Sequence, residues 1–198
     1  MTNNLSKAAQ ARLDELLSLP LEEAAVSCLL PEIVLKLPAN PSSIRIVTEL
    51  RNWLSKNSST CHLFADPTSW HPFDDIHEKS SREIREGFSG IGEHRYTLAA
   101  PFDWNGPKGA SRTHRYKINA WLMIGSLLRS HSIGGDEKTY NISKDIALDW
   151  INKHVFGERD DDFAWYDMGV GQRSCMLSYI TYKSILKFKS NIFSWFSG

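Results

Sequence analysis

The stretch Phe163 to Tyr182, FAWYDMGVGQRSCMLSYITY, sets one arginine inside a segment that is otherwise aromatic, apolar or small. If it is helical, Tyr166 and Arg173 are seven residues apart and lie on one face, with Val170 and Leu177 along the same stripe. Trp165, Gly169, Gln172 and Met176 make the neighbouring stripe. Asp167, Gly171, Ser174 and Ser178 form a third line of small or polar side chains, against which another helix can approach closely. The apolar residues do not keep to one side, so the pattern predicts a helix covered on most of its circumference. An unpaired buried guanidinium costs on the order of several kcal/mol, the scale of a whole domain's net stability. Arg173 therefore needs partners. They are either an acid in a structural ion pair, such as Asp167 or one elsewhere, or a ligand.

Composition narrows the partners. Lysine plus arginine equal aspartate plus glutamate, 23 of each, so no net field attracts nucleic acid or an anionic membrane at long range. No apolar run reaches the ~18 residues that a bilayer crossing needs. The start, MTNNLSKAAQARLDELLSLP, lacks the basic, apolar and small-residue regions of a secretory signal, which predicts a cytoplasmic protein. Cys28, Cys61 and Cys175 have neither a zinc spacing nor the even number of a disulfide framework, in keeping with a reducing compartment. GxxxxGK[ST], GxSxG and HExxH are all missing, so P-loop, nucleophile-elbow and zincin chemistry lack their anchors. HPFDDIH, from His71 to His77, groups two imidazoles with two carboxylates, but its first half lies in a proline loop and no further ligand is evident. Capping and surface roles are expected there, and no metal or cofactor is expected anywhere.

At 198 residues the chain can bury one substantial core. Periodicity predicts amphipathic helices over Leu5 to Leu19, Leu21 to Leu30 and about Ser42 to Lys56, the last on Ile44, Val47, Leu50, Trp53 and Leu54. Cys61 to Phe73 reads as a long loop. Asp74 or Asp75 can cap a helix from Ile76 to Phe88, with Glu78, Lys79, Arg82, Glu83, Arg85 and Glu86 on a solvated outer face. Glu93 to Ala99 alternates enough for a short extended piece, and PFDWNGPKGAS is a turn-rich loop. His114 to Ser130 is apolar over more than half of one continuous helix, which Gly134 and Gly135 end. The next helix starts at Asn141 or Ser143 and includes Ile146, Asp149 and Trp150. The fold class is thus mainly α, about six or seven helices in antiparallel hairpins, as a bundle or an arc, around an irregular aromatic-rich middle. Residues 1–60 read as generic N-terminal helices and 61–198 as the region that carries the motifs.

Two loops combine aromatic and polar groups: Phe102, Asp103, Trp104 and Asn105, and then Trp165, Tyr166 and Asp167. Flat aromatic faces beside amides and carboxylates suit carbohydrate, and an arginine fork matches a uronate carboxylate or a sulfate. The alternative is that these tryptophans plug the core between helices.

In order, Trp70 with HPFDD, then GIGEHRYTLAAPFDWNGP, HRYKINAWLMIGSLLRS, IALDWINKHV and FAWYDMGVGQRSCMLSYI resemble the N-terminal helical region of heparinase II/III-like polysaccharide lyases. The likeness spans roughly Trp70 to Tyr182. It implies a partial α/α toroid and, for the family, β-elimination on uronate-containing polysaccharide. It also implies substrate-binding roles for Trp165, Tyr166 and Arg173, with Trp104 and Asn105 as further candidates near the groove, and an acidic polysaccharide or oligosaccharide as partner. The family's catalytic asparagine–histidine pair, tyrosine and later histidine follow the tryptophan–arginine helix, as does its β-sandwich. No residue here matches a catalytic position. The expectation is a truncated or partial lyase-like chain, inactive alone, or a non-catalytic helical glycan-binding or scaffold protein, in either case with apolar surface available for self-association.

Overall fold

The computed structural model describes Ala11, Glu15, Ser18 and residues 35–57, 75–89, 94–156, 164–165 and 167–195. The expected helix Leu21 to Leu30, the loop Cys61 to Phe73 and His71 lie outside the described residues, as does most of the expected first helix. The described residues are mainly helical, and their only extended pairing is an isolated antiparallel bridge between Phe88 and Tyr96. They form two compact units. One holds 75–180, and the other holds 35–57 together with 181–195.

In the second of these units α1 runs Ser43–Lys56, and the Ser42 hydroxyl accepts from the Arg45 amide at its start. That cap satisfies one of the amides that a helix start leaves without a partner. Ile46 and Glu49 are buried and Ile44 is exposed, so the inward stripe is displaced from the one the apolar spacing predicts. Glu49 is held by Arg45, one turn earlier, at 2.7 Å.

The larger unit begins with α2, Ile76–Glu86, which stops at Gly87. Gly87 has φ +87°, and a Cβ there would stand 3.0 Å from the Tyr96 carbonyl oxygen, so glycine lets the chain turn into the Phe88–Tyr96 bridge. The outer face of α2 needs one correction. Glu83 is buried because it shares a stripe with Ile76 and Ser80, the side that packs on the helix Leu122–Gly134.

The single helix expected over His114 to Ser130 is two. α3 spans Arg112–Asn119 and α4 spans Leu122–Gly134, and Trp121 between them has φ +61°. A bulky residue in the left-handed region costs on the order of 1–3 kcal/mol, and burial of the Trp121 indole, 1% exposed, offsets it. Met123 to Leu128 are all buried, so α4 is covered on every side, as its composition predicts. Gly135, at φ +70°, closes it, and Asp136 caps α5, Glu137–His154, by accepting from the Lys138 amide at 3.0 Å. α5 therefore starts four residues before Asn141. With only Gly135 and Asp136 between them, α4 and α5 pack as a helical hairpin.

The last helix, α6, spans Asp167–Trp195 and belongs to the larger unit as far as Ile180. Gly169, Arg173, Met176, Tyr179 and Ile180 are buried, whereas Gly171, Gln172, Ser174, Cys175, Leu177 and Ser178 are exposed. This corrects two expectations: the helix is covered on one side only here, and Gly171, Ser174 and Ser178 of the small-residue line are exposed. A Cβ at Gly171 would meet nothing within 4 Å. The buried stripe follows the helical period from Gly169 through Arg173 to Met176. No helix among the described residues is long and apolar enough to cross a membrane.

Candidate functional site

The side chain that demanded partners finds them where α3 ends. The last carbonyls of a helix have no intrahelical donor and carry the negative end of its dipole. Arg173 Nη1 donates to one such carbonyl, that of Asn119, and Nη2 donates to the carbonyl of Ala164. The guanidinium carbon lies 4.2 Å from the centre of the Trp150 ring. A planar fork can meet two acceptors and a π face at once, which an ammonium cannot. Gly169 clears the space, since a Cβ there would be 3.2 Å from Nη1.

Asn119 ties the junction together. Its side-chain oxygen accepts from Trp150 Nε1 at 3.1 Å, and its amide nitrogen donates to the Arg115 carbonyl at 3.1 Å. Trp150 is packed edge-on by Trp121, with centroids 5.7 Å apart, and by Trp165 at 5.6 Å. Burial pushes the Arg173 guanidinium down to about 10, which leaves it a cation at neutral pH. Its described partners are main-chain oxygens, at a helix end and in the 164–165 turn, and a ring; the side chain of Asp167, the acid named for an ion pair, lies outside the described residues.

The candidate glycan contacts fall in different places. Trp165 is half-buried against Trp150, in the same cluster as Arg173. Trp104 is 1% exposed, and its Nε1 donates to Asp149 Oδ2 at 2.6 Å, the oxygen that also accepts from the Phe102 amide at 3.0 Å. Its ring packs between Phe102 and His154. Asn105 is exposed, beside Asp103, whose Oδ1 accepts from the Asn105 and Gly106 amides at 3.2 and 3.1 Å. Tyr166 lies outside the described residues. The Trp104 ring and the Arg173 fork thus face protein, and Asn105 faces solvent.

Two polar contacts join α2 to α4. Ser126 Oγ donates to the Glu83 carboxylate, and His77 Nδ1 shares a 2.8 Å hydrogen bond with Ser130 Oγ. Burial raises the Glu83 carboxyl above its ordinary range, against the hydrogen bond from Ser126 and the charges of Lys79 and Arg82. His77 therefore serves a helix contact, and among the described residues no group of three or more potential ligands is placed to hold a metal.

Sequence reasoning passed over Asn119, Trp150 and Asp149 as site residues. A signal existed for Asn119, the one amide in the otherwise apolar run INAWLMI. Compared with protein-family models, with curated proteins and with solved structures, the chain finds no match.

Proposed function

We propose that this chain is a non-catalytic helical scaffold of the kind that forms the N-terminal wall of a heparinase II/III-like polysaccharide lyase, and that its tryptophan–arginine motif builds the wall. In this reading the α4–α5 hairpin is one of the antiparallel pairs of a partial α/α toroid, and an acidic glycan is the ligand of the assembled protein. The observation that carries it is the placement of Arg173: it is buried, with Nη1 and Nη2 each donating to a main-chain carbonyl and its plane against the Trp150 face, so the fork that could clamp a carboxylate is turned to protein. The order of motifs from Trp70 to Tyr182 supports the family likeness. A second reading, direct glycan binding by this chain, is favoured at Asn105, which among the described candidates is the one that is exposed.

The purified chain is offered heparan, chondroitin and alginate oligosaccharides, with unsaturated-uronate absorbance read for cleavage and calorimetry read for binding. The scaffold reading expects no eliminative turnover. It also expects Arg173→Lys, where still folded, to leave any glycan affinity unchanged within about twofold. Turnover overturns the non-catalytic reading, and an affinity loss above about tenfold in a folded Arg173→Lys chain returns the guanidinium to the ligand.

A further inference from the structure

A second polar pair lies apart from the Arg173 junction. Tyr96 is 2% exposed, and its hydroxyl is hydrogen-bonded to His114 Nε2. The Tyr96 ring stacks on Phe102 with centroids 5.5 Å apart and meets the His94 ring edge-on at 4.5 Å. Above the pair runs the turn led by Asp103. Gly106, at φ +67°, passes so close that a Cβ would stand 2.8 Å from the Tyr96 hydroxyl oxygen and 3.3 Å from His114 Nε2. The Asp103 carboxylate sets that approach by accepting from the Asn105 and Gly106 amides.

A neutral imidazole has one ring nitrogen able to accept the phenol proton, and an imidazolium has none. Burial, with Asp103 adding to it, pushes the Tyr96 phenol up to about 12, so it keeps its proton and needs an acceptor. We propose that the Tyr96–His114 hydrogen bond is an acid-released latch on the turn 103–110, closed while the imidazole is neutral and opened when it takes a proton. Protonation would leave the covered phenol hydrogen without its acceptor, and lifting the turn would let water supply one. The charges facing His114 are His94 from the neighbouring segment, Asp103 from the turn and Lys117 from its own helix. Burial first, then His94 and Lys117, hold the imidazole below its ordinary range against Asp103. A depressed histidine stabilises the fold above its ordinary value, and that stability is lost as pH falls through the lower, folded value. The latch does not depend on the glycan reading.

Hydrogen exchange at the Asn105, Gly106 and Ala110 amides tests it, as protection factors corrected for intrinsic pH dependence, between about pH 7.5 and about pH 5. The wild-type turn is expected to lose at least about tenfold protection while α4 amides stay protected. His114→Gln, which cannot titrate, is expected to flatten that response, and Tyr96→Phe, which removes the stranded donor, to reduce it below about threefold. An undiminished loss in the folded variants, or no loss in the wild type, overturns the latch.

Discussion

Arg173 and Glu83 are both charged residues inside the larger unit, and their surroundings are unlike. Arg173 meets two carbonyls and an indole, brought to it by the end of α3, the 164–165 turn and α5. Glu83 has one hydroxyl, from Ser126, and the Lys79 ammonium at 4.0 Å, on the limit of an ion pair. Burial opposes the charged form of each. The difference teaches that a buried charge becomes structural when several separate segments end on it. A charge held by a single side chain is a local and pH-sensitive contact.

The largest effect belongs to Arg173→Ala. It removes the Arg173 donors from the Asn119 and Ala164 carbonyls and leaves a cavity under Trp150, so urea unfolding should show a loss of about 3–5 kcal/mol. A loss no greater than that of Glu83→Gln would erase the distinction between the two sites. Next comes Asn119→Ala, which strands the Trp150 indole N–H and should cost about 1–3 kcal/mol by the same measurement. Coupling between these two substitutions, read from the double variant, would sharpen the view that they act as one unit.

Glu83→Gln should go the other way at neutral pH. The folded carboxyl is raised, so its stabilising contribution is complete below the ordinary carboxylate range and is lost as pH rises through the folded value. The variant should therefore gain on the order of a few degrees in Tm near pH 7 and little in acid. A flat difference across pH would remove the contrast with Arg173. The smallest effects separate two glycines of α6. Gly171→Ala, in open space, should gain about 0.5–1 kcal/mol, whereas Gly169→Ala, pressed on Nη1, should forfeit that gain.

Part of this was legible beforehand. Helix starts and stops with side-chain or glycine signals, such as Ser42 and Gly135, could be read directly, whereas α2 ends at Glu86, before Gly87, two residues short of the expected Phe88. The requirement that Arg173 be satisfied could be read too, from its apolar company. Its partners could not, because the carbonyls of Asn119 and Ala164 carry no residue signature. The break at Trp121 was equally hidden, since an unbroken apolar pattern runs through it and only tertiary packing of the indole sustains φ +61° there. Glu83 looked like one more charge on a solvated face until α4 covered that stripe. Trp104 shows the limit of composition: the same indole suits a sugar or a core, and its bond to Asp149, 45 residues away, decides between them in this fold.

The most direct test is to observe the Arg173 guanidinium protons by NMR in the folded chain and add uronate oligosaccharide. Separate, slowly exchanging Nη–H signals that do not move on addition are the expected result. A single signal in fast exchange with water, or one that shifts with glycan, would mean that this side chain is free to bind and is not what joins α3, α5 and α6.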